Sequence, residues 1–412
     1  MPDNSAPAPF FMVKRWLAPR QRSVNAARVP ARPVRDPIVQ QESVIPMQAF
    51  RGSMIFTVVC LILAGVLGYV ETGLIGPALS MVFIAGVLGV METSLSLDNA
   101  VVNASILKDM DPLWQRRFLT WGIIIAVFGM RIVFPILIVS VAALVSPWEA
   151  ARIAIADHAR YEAIVTGAHV GISGFGGAFL MLVGLSFFFD TDREHHWIGL
   201  IERPLAAFAR LPLAPYLVTA IVVGALSFWL HPGEQQTFLI AGLAGVATYF
   251  AVQKFGDLMG GEEDAATGKV VRSGAAAFVY LEFLDASFSF DGVIGAFAIT
   301  NDILLIALGL GIGAMFVRSM TVALVRGGHL SEFRFLEPGA FYAIVALAVI
   351  MLISIRVHVP EIVTGLIGAV IIGASLYASI RHKRRFPHEY EEAGEADAIL
   401  PSGDVQPGQH TA

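Results

Sequence analysis

The stretch LIGPALSMVFIAGVLGVMETSLSLDNAVVNASIL, residues 74–107, decides the fold. It is far longer than the about 20 apolar residues that cross about 30 Å of hydrocarbon, and it has no charge before Glu92 and Asp98. Nine further apolar runs flank it, at Met54–Val70, Phe118–Val145, Ala168–Phe189, Pro215–Leu230, Thr237–Gln253, Gly274–Thr300, Ile303–Val325, Gly339–Ile355 and Glu361–Ser379. The runs near Pro215 and Thr237 are short, so the expectation is an all-α, polytopic transmembrane helix bundle of about 8–10 spans. Composition agrees. Hydrophobic residues make up 56% and charged residues only 15%, against about 25% charged in a soluble domain.

Working outward, the basic residues gather at the ends of apolar runs, where membrane topology explains them, so nucleic acid is dropped as a partner. Lys108, Arg116, Arg117, Arg193, Arg203, Arg210, Lys254, Lys269, Arg272, Arg326, Arg334, Arg381 and Lys383 fall on alternate loops of one side. The opposite loops hold little beyond Arg152, Arg160 and Arg356, which predicts both termini in the cytoplasm. Cys60, the only cysteine, permits neither an internal disulfide nor a thiolate metal cluster. Residues 1–53 read as a basic, largely disordered cytoplasmic arm, 54–380 as the transmembrane domain, and 381–412 as a polar, disordered cytoplasmic tail. The segment from Ser146 to Gly167 reads as an amphipathic outer segment. His195 and His196 fall in a loop read as solvated, and the glycine stretch Gly171–Gly177 reads as a close-packing surface.

The chemistry lies in an internal repeat. Glu92-Thr-Ser-Leu-Ser-Leu-Asp98-Asn99 matches Asp285-Ala-Ser-Phe-Ser-Phe-Asp291-Gly292 position by position, and an arginine follows in the next span of each half, Arg131 and Arg318. Repeat one covers about 54–145 and repeat two about 237–325. An odd number of crossings separates the acid-bearing spans, so they would enter the membrane from opposite sides, the inverted internal repeat of many secondary transporters.

An acid at the bilayer centre costs about 2.5–3.5 kcal/mol even on the lenient scale, and Glu92, Asp98, Glu282, Asp285 and Asp291 all fall inside spans. Six residues turn a helix so that Glu92 and Asp98 stand about 120° apart; chelation of one ion by both requires the segment to unwind near Asn99 or Gly292. Glu282, Asp285 and Ser289 share a face. Carboxylate, amide, hydroxyl and carbonyl oxygens suit Mg²⁺, Ca²⁺ or Mn²⁺ better than zinc or copper. Fixed ion pairs with Arg131 and Arg318 are the structural alternative, but five acids exceed two arginines. Asn99, Asn103 and Asn301 read equally as ligands or as polar glue between helices.

On Glu92–Asn99, Glu282-Phe-Leu-Asp285, Phe290-Asp291-Gly292, Ala298–Asp302, Arg131 and Arg318, the chain resembles the TerC family of integral membrane proteins. That family lies within the group containing the LysE-type exporters, and the resemblance is closest to a branch described only as a domain of unknown function. It covers roughly Met54 to Ser379 and implies an exporter of manganese or a related divalent cation, such as calcium, in the bacterial inner membrane. The expected metal site is Glu92, Asp98, Asn99, Asp285 and Asp291, with Glu282, Ser94 and Ser289 as a secondary metal site or proton relay. Arg131 and Arg318 balance charge. The expected partners are the divalent cation and the lipid bilayer, and a homo-oligomer is compatible with the sequence. No resident cofactor and no enzymatic activity are expected. Two other functions are weighed: a proton- or sodium-coupled exporter of a small organic ion, and a non-transporting membrane scaffold in stress or tellurium resistance.

Overall fold

The computed structural model describes residues 47–386 apart from 109, 191–195, 209–210, 212, 259–273, 298, 327–332 and 358. The arm up to residue 46 and the tail from 387 therefore lie outside the described residues. The described chain is helical, without strands. A short 3-10 turn, Met47–Phe50, leads into α1 (Arg51–Thr72), α2 (Ile75–Leu95) and α3 (Leu97–Leu107). One long rod follows: α4 (Pro112–Ile124), a π-helical stretch (Ile125–Val133) and α5 (Phe134–Ala142). Then come α6 (Pro147–Ala156), α7 (His158–Gly167), α8 (His169–Phe188), α9 (Gly199–Phe208), α10 (Ala214–Ser227) and α11 (Pro232–Leu258). The chain closes with α12 (Gly274–Phe297), α13 (Ile303–Arg326), α14 (Leu336–Ser354) and α15 (Glu361–Arg385).

Eight described helical stretches are long and apolar enough to cross a membrane: α1, α2, Ile125–Ala142, α8, α11, α13, α14 and α15. The remaining two runs read from the sequence are also helices. Helix α10 has only 14 residues, about 21 Å. Helix α12 has 24, long enough to span, but carries Glu282, Asp285 and Asp291. Two boundaries move. Helix α1 starts at Arg51, because buried Ser53 is anchored on α13 through Ser319 and the Met315 carbonyl. Helix α15 runs on to Arg385, so the basic cluster from Arg381 is helical and not part of a tail.

Local chemistry accounts for the turns. Gly73 closes α1 at φ 66°, a left-handed conformation that glycine adopts without strain. Asp111, Ser146 and Asp157 cap α4, α6 and α7, accepting from backbone amides inside each helix. The segment from Ser146 to Gly167 is thus two short helices, with Ile153, Ala154 and Tyr161 turned inward. His196 is held at 3.1 Å by Glu202 on α9, a fully buried carboxylate that also accepts the Trp197 and Ile198 amides and the Tyr342 hydroxyl. Its loop is therefore pinned to α14; His195 lies outside the described residues.

Packing depends on small residues, as expected where apolar side chains gain nothing by leaving lipid. Helix α8 sits at the centre, mostly buried between α11 and α14. A Cβ at Gly177 would lie 2.7 Å from Leu352 of α14, and one at Gly245 would overlap the Phe175 carbonyl. The glycine stretch is a close-packing surface. A second seam joins α2 to α13, where Gly89, Gly309 and Gly313 let the backbones approach. That seam places Glu92 against α13. Helices α1, α2 and α15 turn large apolar side chains such as Ile62, Phe83 and Val370 outward, as a lipid-facing surface requires.

Candidate ion site

The two motifs meet where α2–α3 crosses α12. Glu92 lies against Gly292, and the Asn99 side-chain amide donates to Asp285 Oδ1 at 2.7 Å. As numbering rises along one helix it falls along the other, so the crossing is antiparallel. The alignment that maps Glu92 onto Asp285 also maps Asn99 onto Gly292, so each contact is the image of the other. Glycine at 292 has a steric reason, because a Cβ there would overlap Glu92 Oε2. Gly313 leaves room for the Glu92 side chain in the same way.

Arg131 sits between the two acids. It donates to Glu92 Oε1, and its Nη1 lies 3.7 Å from Asp285 Oδ2 and donates to the Ala126 carbonyl at 2.6 Å. Arg131 and Glu92 are 3% and 1% exposed, so each neutralises a charge that could not otherwise remain in this interior. The π-helical stretch delivers this arginine. Pro135 cannot donate to the carbonyl one turn back, and the widened turns upstream let Arg131 reach across to Ala126.

Beside this pair lies a cavity of about 40 Å³, lined by Ser96, Asn99, Asn103, Gly122, Arg131, Glu282, Asp285, Arg318 and Thr321 among others. A water needs about 10–15 Å³ on this measure, so there is room for two or three waters or a partly hydrated ion. Four buried oxygens facing this region accept no hydrogen bond: Asn99 Oδ1, Asn103 Oδ1, Glu282 Oε1 and Asp285 Oδ2. A buried oxygen left without a donor costs about 1–3 kcal/mol, a cost that water or a cation in the cavity would relieve.

The structure gathers some of the anticipated residues and not others. Glu92, Asn99, Asp285 and Arg131 converge, and Glu282 and Arg318 line the same cavity. Asp98 does not join them: its carboxylate accepts the Asn99 amide and lies against α15, 3.9 Å from where a Cβ on Gly368 would stand. Ser94 is exposed and donates back to Val90, while Ser96 faces inward and donates to Glu92 at 3.3 Å. The side chains of Asp291 and Ser289 lie outside the described residues. Unwinding is confined to Ser96, between α2 and α3; the Glu92 and Ser96 carbonyls stay hydrogen-bonded across it, and α12 is unbroken. Among the described residues no three His, Cys, Asp or Glu side chains gather as a metal cluster. Any cation here would rest on amide and carboxylate oxygens together. Asn103, a cavity residue that the motifs do not contain, had only its polarity within an apolar run to mark it.

Residues 97–386 match the family described as "Protein of unknown function (DUF475)". No curated protein and no solved structure matches the chain.

Proposed function

Taking as premise that the chain belongs to the DUF475 family, whose match covers most of its length, we propose that this multi-pass membrane protein is a transporter, and not an enzyme, that exports a divalent cation, manganese or calcium. One observation carries the reading: four buried oxygens that accept no hydrogen bond belong to residues lining one cavity, beside a guanidinium already seated between two acids. Such a site is built to hold positive charge, and oxygen donors favour hard divalent ions. Arg131 is the internal counter-cation. It neutralises Glu92 and Asp285 when cargo is absent and yields Asp285 when cargo arrives.

The exchange of the two motif contacts under the repeat alignment supports an inverted repeat, in which one half rocks against the other around the crossing. The lysine and arginine distribution supports both termini in the cytoplasm, and with the TerC-like motifs it favours the bacterial inner membrane. An organic ion is the weaker cargo, because a cavity with room for two or three waters would have to widen to admit one.

The test is calorimetric titration of purified protein with Mn²⁺, Ca²⁺, Mg²⁺ and Zn²⁺, beside Asp285→Asn. Selective binding of Mn²⁺ or Ca²⁺, lost in the variant, is expected. A folded wild type that binds none of the four overturns the reading.

A further inference from the structure

The antiparallel crossing continues past the acids already described. With Glu92 level with Gly292 and Asn99 level with Asp285, one more turn brings Asn103 level with Glu282. Both line the cavity. From this geometry we infer that Asn103 and Glu282 form a second, distinct subsite for a partly hydrated divalent cation, the station at which cargo is captured before it meets Arg131. The inference rests on the transporter reading and adds where the ion first binds.

At the Asn99–Asp285 level the groups are partly matched, by the amide hydrogen bond and by Arg131. At the next level, among the described residues, Asn103 Oδ1 and Glu282 Oε1 are both buried and both without a hydrogen bond, and Asn103 is only 5% exposed. The wall opposite is bare. Gly122 of α4 places no side chain there, and a Cβ at that position would stand 3.3 Å from Glu282 Oε1. Thr321 closes the wall with its hydroxyl proton directed at backbone carbonyls, 3.0 Å to Val317 and 3.3 Å to Ala100, leaving its oxygen to accept or ligate. Two protein oxygens with space for water suit a hard divalent ion that retains part of its hydration shell.

The position fits capture. Asn103 lies one and a half turns from Lys108, about 7 Å along α3, so this level is nearer the basic-loop end of the bundle than Arg131 is. Between it and that end stands, among the described residues, a cluster of Leu107, Met110, Ala277 and Leu281 with the Phe118 and Phe278 rings 6.1 Å apart.

The test uses the full chain in detergent with Mn²⁺ alone as probe, bound ion being counted by electron paramagnetic resonance. Glu282→Gln and Asn103→Leu should each weaken Mn²⁺ binding at least tenfold. Asn103→Asp should tighten it, a gain that a merely structural asparagine would not give. If Glu282→Gln and Asn103→Asp both bind like wild type while Asp285→Asn abolishes binding, the second subsite is overturned and the transporter reading stands. A folded wild type that binds no Mn²⁺ here and none of the four ions in the calorimetric titration removes both.

Discussion

Glu92 shows how far single residues can be read before the chain is folded. Its placement at membrane depth marks it as functional or paired, and it is paired: Arg131 and Ser96 share Oε1, and two glycines make room for the rest. Removing one partner of such a pair leaves the other charge uncompensated. Glu92→Gln or Arg131→Met should each lower stability by about 3–5 kcal/mol, whereas the double variant should recover much of that loss. Thermal unfolding of the purified variants, analysed as a double-mutant cycle, checks this; additive losses would mean that the pair is not coupled. Gly292→Ala pushes a methyl group into Glu92, and a loss of about 1–3 kcal/mol is expected in the same assay. What the sequence could not show is direction. Ser94 and Ser96 look equivalent in the repeat, yet one donates to the Val90 carbonyl of its own helix and the other to the Glu92 side chain, because residues two apart on a helix face nearly opposite ways. Asp98, about 120° round the helix from Glu92, faces α15.

At the scale of elements, the two copies of the motif are not folded alike. The first is interrupted at Ser96 and the second runs unbroken through α12, although the sequence suggested that either could unwind. The matched pattern of acids and serines was legible because it is carried by residue types. The interruption was not, because it depends on what each helix packs against. The π-helical stretch was equally hidden, though Pro135 marked a weak point in that span. The glycine seam around α8 was legible from composition alone. It makes a firm prediction: Gly245→Ala would drive a methyl group into the Phe175 carbonyl, and backbone cannot swing aside as a side chain can. The variant should unfold at a clearly lower temperature than wild type. Gly224→Ala, where no atom lies within 4 Å of the added carbon, should not. Equal effects at the two positions would contradict the packing described.

For the whole molecule, the ten apolar runs all became helices, because length and hydropathy are what a bilayer selects. Orientation rests on charge and has its own test. In a Cys60→Ala background, a cysteine at Arg116 should react with an impermeant maleimide only after the cells are opened, whereas one at Arg152 should react in intact cells. The reverse pattern would invert the topology. Deleting residues 1–46 separates transporter from scaffold, since the described bundle begins after them: transport should survive, and its loss with the bundle intact would favour the scaffold.

The central claim is that the Arg131-neutralised cavity conducts a divalent cation. Mn²⁺ flux into proteoliposomes containing the full chain, compared with Asp285→Asn, tests it most directly. We expect saturable Mn²⁺ movement in the wild type and at least a tenfold loss in the variant. Equal flux through both, or none above protein-free liposomes with correctly folded wild type, would contradict it.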